Sequence, residues 1–200
     1  MNTKALILIG LAVSLAAGAV LLMVGPVRDS MGLLGRWEGL AVGRFTSATN
    51  YVGMDGAARP TVLSDDLDYY ISCTFSRAGL GKMHAVLEIR QVDADAGPFG
   101  PEVVSVEAAG DSVSCTYFHR FALLDEGPLL ENAAELALVL RDGDLVGRGE
   151  VRQLVLDDRG SPEIVTDPSG ASAAAGATFV FQEIRLRRSI EASRTSDEPA

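Results

Sequence analysis

Residues 67–76 read LDYYISCTFS, with Leu67, Tyr69, Ile71, Cys73 and Phe75 alternating against Asp68, Tyr70, Ser72, Thr74 and Ser76. Successive side chains of an extended strand point to opposite faces, so this spacing predicts a strand with one buried and one wet face. The pattern recurs in 83–92 (MHAVLEIRQV), where Ala85, Leu87 and Ile89 oppose His84, Glu88 and Arg90. It recurs again in 112–121, which aligns Val113, Cys115, Tyr117 and Phe121. Shorter candidates are 39–47, with Trp37 opening the strand, then 103–107, 137–140, 145–156 and 178–186. Turn-forming clusters separate them, among them Asp95-Ala96-Gly97-Pro98 and Asp158-Arg159-Gly160-Ser161-Pro162. Asp142-Gly143 between two apolar runs signals a tight hairpin.

Two segments break this period. Residues 128–138 (PLLENAAELAL) begin with Pro and space Leu129, Leu130, Ala133, Leu136 and Ala137 by threes and fours, which predicts a short helix. Residues 168–177 (PSGASAAAGA) carry no period and read as a flexible loop.

The other decisive stretch is 5–24 (ALILIGLAVSLAAGAVLLMV), twenty uncharged residues. In a helix these match the roughly 30 Å hydrocarbon core of a bilayer. The fold class expected is mainly β: a single N-terminal transmembrane helix, then an antiparallel β-sandwich or barrel-like domain with one short helix. The domains run 1–27 (anchor), 28–36 (juxtamembrane linker), 37–188 (β domain) and 189–200 (disordered tail). Lys4 and the small residues Ala17-Gly18-Ala19 also fit a cleaved signal, which would release a soluble secreted β domain after Ala19. Cutting there would strand Val20-Leu21-Leu22-Met23-Val24 in water, which favours retention. Gly10, Ser14, Gly18 and Gly25 line one stripe of the helix. Such a stripe permits close approach of a second copy or another membrane protein. Large domains cross the membrane with little regard to their charge, and the expected location is a single-pass cell-membrane protein with its C-terminal domain outside the cytoplasm.

Charge narrows the partners. The net charge is −10, with two lysines (Lys4, Lys82) among 17 basic residues, which argues against nucleic acid. Membrane lipid and a membrane protein are the expected partners. Arg185, Arg187, Arg188 and Arg194 concentrate positive charge near the end of the chain; a solvated face is the plainer reading, and a cytoplasmic domain would be needed to bring them to anionic headgroups.

Cys73 and Cys115 sit in two echoing pentapeptides, ISCTF and VSCTY, both on apolar faces. They form either one disulfide or two buried thiols. His84 and His119 complete a Cys2His2 set on paper. Yet Cys115 and His119 lie four residues apart on one strand, about 13 Å, too far for one zinc. Asp142-x-Asp144-x-x-Gly147 partly matches a calcium loop but has Val146 and Gln153 where oxygen ligands belong. Asp93 and Asp95, near Gly97 and Glu102, form a similar partial match. Gly110-Asp111-Ser112-Val113 resembles the Gly-Asp-Ser-Leu block of one esterase family. The resemblance implies an envelope serine hydrolase with Ser112 as nucleophile and His119 as base. It spans four residues, and neither histidine has the Asp three positions earlier that the family places there. The reading favoured is a membrane-anchored non-catalytic β domain serving as a binding or assembly module, with no cofactor and no metal.

Overall fold

The computed structural model describes residues 32–52, 56–78, 82–92, 99–122 and 127–189. The predicted anchor, its stripe of Gly10, Ser14, Gly18 and Gly25, and the tail from residue 190 lie outside them. Among the described residues ten strands form: β1 (Gly35–Val52), β2 (Ala58–Arg77), β3 (Met83–Gln91), β4 (Phe99–Ala109), β5 (Ser112–Ala122), β6 (Leu129–Arg141), β7 (Asp144–Leu156), β8 (Ile164–Thr166), β9 (Ser172–Ala174) and β10 (Gly176–Arg188). Eight close into one antiparallel barrel in the order β1-β10-β7-β6-β5-β4-β3-β2, while β8 and β9 pair as a separate hairpin. Closure makes the domain a barrel rather than a sandwich.

The pairing is staggered. From Phe99, the first residue of β4, partners run through Ile89, Ile71, Gly39, Leu186, Leu145 and Leu140. The Leu140 N–H then donates to Asp111 O at 2.8 Å, beyond the end of β4. Such a stagger tilts the strands by roughly 35–45° and leaves an eight-stranded interior just wide enough for side chains to fill. They fill it: Trp37, Tyr69, Ile71, Phe75, Leu87, Ile89, Leu136, Leu138, Phe181, Ile184 and Leu186 are buried in one cluster. Leu33, ahead of β1, is 1% exposed, and its carbonyl accepts from Trp37 Nε1 at 2.8 Å. The outer wall carries exposed Arg44, Asp66, Arg90, Glu107, Arg148 and Glu183. Exposed Leu40, Val42, Val86 and Val180 stand among these charges, so the outer wall mixes polar and apolar side chains rather than presenting the continuous apolar band of a lipid-embedded barrel.

Inward glycines make room for that filling. A Cβ on Gly39 would stand 2.0 Å from Arg185 O, and one on Gly147 2.0 Å from Ala137 O. At Gly43 a Cβ would meet the Phe181 ring at 2.9 Å. The wall beside β10 therefore approaches closely enough that only hydrogen fits, and Phe181 and Leu186 occupy the interior.

Two sequence expectations are corrected. Residues 129–141 form strand β6, paired along its length with β7, and no helix occurs among the described residues. Ala134, Leu136 and Leu138 are buried inside, while Ala133 and Glu131 are also covered. Where the outer face is also covered, as at Glu131 and Ala133, the strand loses its alternation and imitates helical spacing, although Glu135 and Ala137 stay exposed. The supposed loop 168–177 holds β9 and the start of β10. Asp167 closes the β8–β9 turn, its carboxylate accepting from Ser169 N, Ser169 Oγ and Ala171 N, and these bonds hold its carboxyl below the usual range. Val165 and Ala175 then pack against Ala48, so small side chains seat the hairpin closely. The predicted hairpin at Asp142-Gly143 forms, with φ of 52° and 85° as a two-residue turn of this kind requires.

Gly147→Ala is expected to destabilise the fold by about 1–3 kcal/mol, because backbone must move to admit the methyl. Gly100→Ala, where a Cβ meets nothing within 4 Å, should stay within about 0.5 kcal/mol. Thermal denaturation of both variants checks this: equal midpoints would show that the wall tolerates a side chain at Gly147.

Candidate functional site

Inside the barrel, β2 and β5 direct Cys73 and Cys115 toward each other across the core, both buried and both free thiols. The Cys115 thiol hydrogen-bonds that of Cys73 and burial adds to it, pushing the Cys73 thiol well above its usual pKa. A neutral, enclosed thiol is a poor nucleophile and a poor metal ligand. Tyr69, 1% exposed, sets its ring edge-on to Phe179 and Phe181, with centroids 5.9 and 5.2 Å away. Its hydroxyl has no hydrogen-bond partner among the described residues. Burial, with Asp65 adding to it, pushes that hydroxyl up to about 12.

The groups weighed for chemistry are dispersed. Ser112 opens β5 and His119 stands seven residues along it, about 23 Å away, so the structure does not bring them together. His119 Nδ1 instead lies 3.4 Å from Tyr117 Oη, and His84 Nε2 lies 2.8 Å from Ser76 Oγ on the neighbouring strand. Asp144 faces Arg187 at 3.5 Å and Arg185 at 3.9 Å. Asp93, Asp95 and Gly97 lie outside the described residues. No cluster of three or more His, Cys, Asp or Glu able to hold a metal occurs among the described residues.

The outer wall is more distinctive. One buried charge sits on it: Glu131, 5% exposed, accepts from Arg120 Nε at 2.9 Å and a terminal Arg120 nitrogen at 2.8 Å, with Arg152 at 3.8 Å. Across β4, β5, β6, β7 and β10 runs a groove of about 740 Å³. Ala109, Ala137, Val139 and Val146 line its floor, and Glu107, Arg141, Arg148 and Gln182 surround them. Its depth follows from small side chains on the outward positions.

The two ends of the barrel differ. Where β1 begins, the Ser189 N–H donates to Arg36 O at 2.8 Å, so the chain's first and last described segments meet. Arg36, Arg77, Lys82, Arg141, Arg187 and Arg188 are all exposed at this end. At the opposite end the wall splits. β4 and β5 pair at five positions only, from Ser105↔Thr116 to Ala109↔Ser112. Yet β4 continues beside β3 to Phe99, and β5 continues beside β6 to Ala122. Among the described residues no backbone pairing joins 99–104 to 117–122. Pro101, which has no N–H to donate, lies in this stretch of β4. One ring contact bridges the split instead, Phe99 of β4 meeting Tyr117 of β5 edge-on at 5.3 Å, while His119 and Phe121, 5.4 Å apart, stack along β5 itself. Val103 and Phe118 are 62% and 60% exposed, and the Arg120 guanidinium lies 5.1 Å over the Phe118 ring. Sequence reading missed this seam, although Pro101, two residues before the strand-like run 103–107, is a residue that sheets confine to edges, strand starts and bulges.

No family model, no curated protein and no solved structure matches the chain.

Tyr69 yields a pH-dependent expectation. A hydroxyl whose folded-state pKa is raised from 10 to about 12 contributes stability that is complete below pH 10 and is lost as pH rises through about 12. Tyr69→Phe should flatten that alkaline loss in chemical denaturation. It should also raise stability at pH 7 by on the order of 1–3 kcal/mol, since an unpartnered buried hydroxyl disappears. A less stable variant with an unchanged alkaline limb would contradict this.

Proposed function

We propose that this chain is a membrane-anchored, non-catalytic β-barrel that serves as a binding or assembly module of an envelope complex. The observation that carries the reading is the division between a filled interior and a featured exterior. Apolar side chains occupy the volume in which other barrels hold a small ligand, so recognition falls to the outer wall and the ends. The twenty-residue apolar stretch supplies the anchor, and its small-residue stripe supplies a face for another helix. An anchor at 1–27 would bring the end where β1 begins toward membrane lipid, and the exposed basic residues there are partly paired, Arg36 with Glu38 and Arg187 with Asp144. The domain is read as lying outside the cytoplasm.

Gentle detergent extraction and co-purification, comparing wild type with a Gly10→Leu, Gly18→Leu double variant, tests the assembly role. Wild type should stay with the membrane after osmotic release and bring partners that the variant loses. Identical partners in both would remove the helix stripe as a docking face. A freely soluble mature chain beginning at Val20 would instead establish the secreted form.

A further inference from the structure

From the β4–β5 split, and resting on the binding-module reading above, we infer that the open edge of β5 at 117–122 accepts an extended segment of another polypeptide as an added strand. An unpaired strand edge presents backbone N–H and C=O groups at strand spacing, and the ligand that matches this is another strand. β5 is the better template of the two lips, because Pro101 removes a donor from β4. Side chains on one face of an incoming strand would meet Val103 and Phe118, which are exposed on either side of the split. Those on the other face would meet the Tyr117 and Phe121 rings.

The segment that follows Ser189 is a poor occupant. Ser189 leaves from the other end of the barrel, and the segment that follows it, IEASRTSDEPA, holds one β-branched apolar residue, Ile190. A second copy brings another −10 of charge to the contact. A strand from a different protein has neither handicap. The split also lies away from the end where the predicted anchor joins, which leaves it facing outward from the membrane.

Hydrogen–deuterium exchange on the full-length chain in detergent tests this. The probe is the peptide acetyl-Thr-Val-Thr-Val-Thr-Val-amide, with its fully N-methylated form as control. In the free chain, alternate amides of 117–122 should exchange at least tenfold faster than those of 113–116. The unmodified peptide should slow them at least threefold, and the N-methylated form should not. Exchange at 117–122 as slow as at 113–116 in the free chain at low concentration would overturn the inference. So would absence of slowing by the peptide, or equal slowing by both peptides. Protection that rises with protein concentration alone would assign the edge to a second copy and overturn it too. A closed seam, with partners that the Gly10→Leu, Gly18→Leu variant still loses, would sink this inference and leave the assembly role standing.

Discussion

The volume inside an eight-stranded barrel is the constraint on which the rest of the structure depends. In this barrel the interior is taken up by one set of side chains, so a large inward residue needs a small one facing it. Phe181 fits because Gly43 offers no Cβ, and the wall of β7 draws up to β6 because Gly147 has none. The same economy explains why the cysteines meet as small inert fillers, and why an isolated Tyr69 hydroxyl is tolerated amid rings. A core that is full has no place for a substrate, which moves function outward.

Outward, the molecule is uneven. Most of the wall is stitched by long ladders, and the buried carboxylate of Glu131 is neutralised by two arginines on its flanks. At the β4–β5 split the ladder stops, and the Phe99–Tyr117 ring contact takes the place of backbone bonds. Regions with few backbone bonds open at lower free energy than the rest of a domain, and binding elements are drawn from them. Barrels remove edges that would otherwise recruit foreign strands. Among the described residues, the β4–β5 lips, where Pro101 and an outward Phe118 lie, form an unpaired edge within the barrel wall, while β1 and β2 also run past their β10 and β3 partners as a longer arm.

Strands with one wet face were legible in the sequence. Residues 67–76, 83–92 and 112–121 show clean alternation because one side meets solvent and the other the core. The hairpin at Asp142-Gly143 was legible for a local reason, a turn that demands positive φ. β6 was not, because Glu131 and Ala133 are covered on the outer wall and the polar beat disappears. The alanine-rich run before β10 looked structureless because its order comes from contacts with Ala48 and Val62, over a hundred positions earlier. Closure itself was invisible for the same reason. No local pattern records that β1 pairs with β10, and the split follows from a register that ends after five residues.

Through-space proton contacts across the β1–β10 ladder, measured on the full-length chain in detergent, bear most directly on whether the interior is enclosed. Closure requires contacts between Arg44 and Val180 and between Phe45 and Phe179, alongside those linking β1 to β2. If the β1–β2 and β6–β7 contacts appeared while those to β10 were missing, the sheet would be open, and the filled interior that assigns recognition to the outer wall would not exist.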